Sequence, residues 1–218
     1  MTFAPLESLA ASLLHHAFEP HAFEPHDDGA HDVSHLYRVW SNVRRIAAEE
    51  GGDLRLLLAA TLLHDCVNVE KSSPLRSQAS RLSAERARQV LADLHWSASD
   101  IEAVAHAIAT HSFSAGLTPT TLEARILQDA DRLDSLGALG VARTFYVSGR
   151  LGRALYDPAD PSASHRELDD SRFTLDHFQS KLLHLAEGFQ TAAGSRLAQV
   201  RHERLVRFRQ ALLEEIGQ

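Results

Sequence analysis

The stretch "LLLAATLLHDC", residues 56–66, decides the fold. From Leu56 to Leu63 it is apolar on every side, Thr61 apart. A helix of that kind is buried, because no face of it gains from water. The run then ends on an imidazole and a carboxylate side by side, His64 and Asp65. Setting both at the end of a buried element costs on the order of several kcal/mol unless something pairs with them. A partner must therefore wait at the end of this helix.

Outward from that helix the hydrophobic periodicity is helical almost throughout, and strand alternation is not found. The spacing predicts helices over about 5–16, 31–50, 54–65, 82–94 and 99–112. A longer one follows from Pro119 through "ARILQDADRLDSLGALGVARTFYV", with a bend near its glycines, and two more cover 171–187 and 195–216. Asp53 is placed to cap the buried helix, Gly51-Gly52 to stop the one before it, and "SASD" to start the fifth. "HAFEPHAFEP", residues 16–25, is a five-residue unit written twice in a loop. The expected fold class is all-α: a single-domain bundle of about eight helices over residues 1–218. Its core spans about 26–150, with helices 171–216 packing on it.

Bulk composition narrows the function. With 218 residues, 44% of them hydrophobic, the chain can bury a sizeable core. A net charge of −7 argues against a general nucleic-acid or anionic-membrane binder, so a polyanionic substrate must be met locally. The single cysteine, Cys66, excludes an internal disulfide and a thiolate zinc cluster. It reads as a small apolar thiol filling core space. No leader segment and no bilayer-length apolar run are recognised, so the expected location is cytoplasmic.

Histidine is abundant, at 14 copies, and the informative ones sit where apolar residues belong. His35 shares a stripe with Val39, Asn42 and Ile46, and His31 lies one turn earlier. The bland reading of His35 is a core histidine bonded to a backbone carbonyl. In "ILQDADRLDSLGALG" three aspartates, Asp129, Asp131 and Asp134, interrupt an apolar helix. Asp129 and Asp131 lie about 200° apart on it, and spacing alone does not choose between them. An ion pair with Arg125 or Arg132 is the competing explanation for any of the three. Together, His, His-Asp and Asp come from three helices. Two imidazoles and two carboxylates suit one divalent ion such as Mn, Co, Ni or Fe, and less specifically Mg or Zn.

The order H…HD…D resembles the HD-domain superfamily of metal-dependent phosphohydrolases, whose fold is a helical bundle. "AHDVSHLYRVW", "LLHDC", "HAIATHSFSAG" and "LQDADRLDSLGALGVAR" look like its YedJ/YpgQ-type branch, and "LDHFQSKLLHL" extends the likeness over nearly the whole chain. The resemblance implies His35, His64, Asp65 and Asp131 as metal ligands. His31-Asp32 is then a decoy for the ligand dipeptide, with His31 lining the pocket. Asn68 and Val69 stand where some relatives that hydrolyse guanosine tetraphosphate carry an acidic pair, which argues against that activity.

The implied reaction is hydrolysis of a phosphate ester or anhydride. Its specific form is attack on the α-phosphorus of a nucleoside triphosphate, releasing pyrophosphate. Asp65 is the candidate to accept the water's proton, and Lys71 and Arg76 are placed to meet phosphate oxygens. His111 joins the stripe of Ile101, Val104 and Ile108 and is expected at substrate or a bridging water. His106 is a further candidate at about 140° from it. Trp40 and Trp96 read as core, the Arg-rich last helix as a solvated face, and Asp176, His177 and Lys181 as closing the pocket. The expected partner is a small-molecule nucleotide, with neither nucleic acid nor membrane, and the chain is a monomer or a homodimer. Rival readings are a nucleotide phosphomonoesterase or phosphodiesterase, a di-iron oxygenase of the HD type, and a non-catalytic nucleotide sensor.

Overall fold

The structure is a computed structural model that describes residues 2–17, 33–67, 69, 76–112 and 115–217, with Arg76 described by its backbone alone. Among these are nine α-helices and no β-strand, so the all-α expectation holds. They are α1 (Glu7–Leu13), α2 (Val33–Glu50), α3 (Leu54–Leu63), α4 (Ala79–Asp93), α5 (Ala98–His111), α6 (Leu122–Leu133), α7 (Gly137–Arg150), α8 (Thr174–Ser180) and α9 (Ala192–Glu215). The chain divides into two compact units, Met1–Asp131 and Arg132–Gln218.

In the first unit α3 is the hub, with α1, α2, α4 and α5 against it. Every residue of α3 from Leu57 to Leu63 is buried, as its all-round apolar sequence requires. Leu57, Leu58, Leu62 and Leu63 are fully enclosed, each contributing about 1.5–3 kcal/mol. The Asp53 carboxylate accepts from the amides of Arg55 and Leu56 and so starts α3 as predicted. Ser97 does the same for α5 through the Asp100 amide.

The long helix predicted after Pro119 is two helices. α6 closes in 3-10 bonds, Ser135 amide to Arg132 carbonyl and Leu136 amide to Leu133 carbonyl. Gly137 then takes φ +70°, which side-chain-bearing residues avoid. Gly140 permits the tight re-entry, since a Cβ there would lie 2.3 Å from the Ser135 carbonyl oxygen. The predicted 171–187 helix is likewise shorter. α8 ends at Ser180, Lys181 leaves helical geometry, and a 3-10 turn covers Leu182–His184.

In the second unit α7 packs on α9 and α8, and the rings of Phe145, Phe178 and Phe208 form a cluster with centroids 5.9 to 6.1 Å apart. Buried Asp134 pairs with Arg143 at 2.8 Å. Buried Asp176 is held by Arg166 through the two terminal guanidinium nitrogens. None of the nine helices is long and apolar enough to cross a membrane.

Candidate metal centre

His64 and Asp65 immediately follow α3, where the last-turn carbonyls have lost their helical donors. The Thr61 carbonyl, one of these, accepts from His64 Nδ1 at 2.7 Å. A carbonyl only accepts, so Nδ1 carries the proton and Nε2 keeps its lone pair. The same device recurs at the end of α5, where His111 Nδ1 donates to the Ile108 carbonyl at 2.7 Å. Both imidazoles thus leave a helix terminus with a fixed ring orientation.

Four elements aim at one point. His35 Nε2, from α2, lies 3.2 Å from His64 Nε2 and 3.5 Å from Asp131 Oδ1, from α6. His64 Nε2 is 3.9 Å from the same Asp131 oxygen and 3.5 Å from Asp65 Oδ2. The other Asp65 oxygen lies 3.5 Å from His111 Nε2. The result is two overlapping groups, His35–His64–Asp131 and His64–Asp65–His111, each with its potential ligand atoms within 4.8 Å of one another. Neighbouring ligands of an ion with bonds of about 2.1 Å sit about 3 Å apart, so the first group needs only a slight contraction.

Burial sorts the roles. The three imidazoles are enclosed, whereas Asp65 and Asp131 are 40% and 29% exposed and form the side open to solvent. Burial is the main cause that lowers the pKa of His64, which leaves it neutral, as ligation demands. Burial also works against charge on His111. There the bond to Asp65 and the charges of Asp65 and Asp131 outweigh it and push the pKa up to about 9. His111 is therefore an imidazolium paired with Asp65. The donor set of neutral imidazole Nε2 atoms and carboxylates, with no thiolate, fits a divalent cation of mixed N/O preference.

A family model for the HD domain matches residues 32–136, the segment that carries all five of these residues. The uncharacterized protein YpgQ of Bacillus subtilis is 30% identical over 190 residues, 85% of this chain and 84% of YpgQ. The chain belongs to the HD-domain family. A solved HD-superfamily hydrolase from Bacillus thuringiensis superposes with a TM-score of 0.71 at 28% identity, covering 97% of this chain and 98% of that one. Bacillus subtilis YpgQ, solved in complex with ADP, superposes with a TM-score of 0.70 at 28% identity, covering 96% and 97%.

The dipeptide His64-Asp65 lies within the cluster, and of the two aspartates that spacing left open it is Asp131 that meets the histidines. Asp129 is fully buried elsewhere in the helix. The competing aspartate–arginine pair is real for Asp134, with Arg143 in place of the two arginines expected. His106 is not among the clustered histidines: its Nε2 accepts from the Thr120 amide at 3.1 Å and so holds the chain leading into α6. His31, Lys71 and the Arg76 side chain lie outside the described residues.

Cys66 and Trp40 are core, as expected, but Trp96 is only half-buried, with the Arg55 guanidinium 3.6 Å above its ring. Asp176 and His177 are engaged in their own unit, with Arg166 and Asp170, and Lys181 is exposed. Along α9, Arg204 and Arg207 are exposed while Arg201 turns to the Leu133 carbonyl. Sequence reasoning missed the two backbone carbonyls that orient the His64 and His111 rings. Their signal was present, since each histidine ends a helix and each acceptor lies three residues before it.

Proposed function

We propose that this HD-domain chain is a metal-dependent phosphohydrolase that cleaves nucleoside triphosphates, ribo or deoxyribo, at the α-phosphorus to the monophosphate and pyrophosphate. The observation that carries the reading is the convergence of buried imidazole Nε2 atoms with two part-exposed carboxylates. The nucleotide part is supported by the ADP complex of YpgQ, a protein of the same fold.

His35, His64, Asp65 and Asp131 would hold one divalent ion, Mn, Co, Ni or Fe in preference to Mg or Zn. Such an ion, when bound, polarises a phosphoryl oxygen and brings a water's pKa from 15.7 down toward ~7. Asp65 faces solvent and receives the proton of the attacking water, while His111 donates to its other oxygen and keeps the carboxylate oriented. Lys71 and Arg76 meet non-bridging phosphate oxygens, and His31 lines the nucleotide side. A small nucleotide is the partner, not a nucleic acid or a membrane, and the chain works in the cytoplasm as a monomer or homodimer.

The test is a product assay. Protein loaded with Mn or Co is offered pooled ribo- and deoxyribonucleotides, and the products are read by mass. Monophosphate plus pyrophosphate supports the reading and names the substrate. Nucleoside plus phosphate replaces it with a phosphomonoesterase, and a linear product from a cyclic nucleotide with a phosphodiesterase. No turnover under any metal favours a sensor, or an oxygenase if two irons per chain are found.

A further inference from the structure

Two buried amide side chains tie α6 to the helices that carry the histidines. Asn42 Nδ2, on α2, donates to the Ala130 carbonyl at 2.9 Å. Gln128 Nε2, on α6 itself, donates to the Thr110 carbonyl of α5 at 2.8 Å. Both residues are 3% exposed. The acceptors stand immediately before functional residues, Ala130 before Asp131 and Thr110 before His111. The donors share stripes with them: Asn42 follows His35 by two turns, and Gln128 precedes Asp131 by three residues.

Apolar packing would stabilise these contacts at least as well, because a buried amide gains little net energy even when satisfied. What an amide adds is direction. Apolar side chains let one helix slide or rotate against another at small cost, whereas a hydrogen bond to one chosen carbonyl sets the register. A shift of 1 Å between α2 and α6 is about twice the roughly 0.5 Å within which a ligand constellation must be held, and it acts directly on the His35–Asp131 separation of 3.5 Å.

We infer that Asn42 and Gln128 are positioning residues of the metal centre. Asn42 sets His35 against Asp131, and Gln128 sets the end of α5, and so His111, against α6. The inference rests on the metal-centre reading above and deepens it. Each amide would act through the backbone carbonyl it bonds, next to a residue of the centre.

The test is a titration of the whole chain with Co(II) alone, followed by its visible d–d absorption, without nucleotide. Asn42→Leu and Gln128→Met fill nearly the same volume and remove the donor. Each is expected to weaken cobalt binding by roughly 10-fold or more and to alter the band positions, while circular dichroism stays close to wild type and the metal-free melting temperature falls only modestly, as one buried carbonyl loses its donor. A folded variant with wild-type cobalt affinity and bands overturns the inference, because a structural role alone moves stability and not the spectrum. Should Asn42→Leu not fold, Asn42→Ser, smaller and still polar, is titrated in its place with the same two outcomes. Wild type reports separately on the parent reading: if it takes up no cobalt, the metal centre falls and this inference with it.

Discussion

At the scale of single residues the centre is defined by which nitrogen carries a proton. The Thr61 carbonyl commits His64 Nδ1 as a donor, so removing this imidazole removes one of two facing Nε2 atoms. His64→Ala is expected to lose metal binding, read as metal content after dialysis; full stoichiometry would sink the ligand set. Asp131→Asn is expected to lose most of the metal, and Asp129→Asn to keep it. This pair of variants tests what helical spacing could not resolve, since an angle of about 200° separates the two carboxylates without saying which face meets α2. The histidines and the HD dipeptide were legible because they break an apolar pattern. His31 and Lys71 were named from the sequence and lie outside the described residues. His111 carries a pH prediction. Its folded pKa of about 9 lies above the ordinary 6.5, so its pairing with Asp65 stabilises the metal-free fold fully below pH 6.5 and is lost as pH rises through 9. Metal-free wild type should therefore lose stability between pH 6.5 and 9.5 faster than His111→Gln, in urea melts at each pH. Parallel curves would show that the pairing is not there.

At the scale of elements the sequence spoke clearly wherever one side chain starts or fills a helix. Asp53 accepts two α3 amides, so Asp53→Ala should cost about 1 kcal/mol in chemical denaturation. Because α3 is the hub that presents His64 and Asp65, this loss should leave the metal-binding stoichiometry of the folded protein at the wild-type value. The break between α6 and α7 was less legible. The residues of "DRLDSLGALG" continue an amphipathic pattern, and glycine tolerates a helix as well as a turn, so periodicity reads straight through. The deciding facts are tertiary: the positive φ at Gly137 and the Ser135 carbonyl against Gly140. Gly140→Ala puts a methyl group 2.3 Å from that oxygen and should destabilise the chain by more than the loss of the Asp53 cap. An equal or smaller loss would mean that the turn relaxes easily.

At the scale of the whole molecule, all-helical periodicity, one buried hub helix and four motif blocks in order were enough to place the chain in its family. The division into Met1–Asp131 and Arg132–Gln218 was not legible, because it falls inside α6, where the amphipathic pattern is continuous. All five residues of the candidate centre belong to the first unit, and that makes metal and stability one linked problem. The unfolded chain scatters His35, His64, Asp65 and Asp131 over nearly a hundred residues and cannot bind an ion in the same way. A ligand bound only by the folded state at 100 times its Kd adds about 2.7 kcal/mol. Manganese or cobalt at that excess should therefore raise the melting temperature of wild type, and a chelator should reverse the rise. His64→Ala should show no response at any metal concentration. If wild type melts identically with metal and with chelator, the buried imidazoles find their compensation in one another and in the aspartates alone, and the chemistry proposed for this centre loses its foundation.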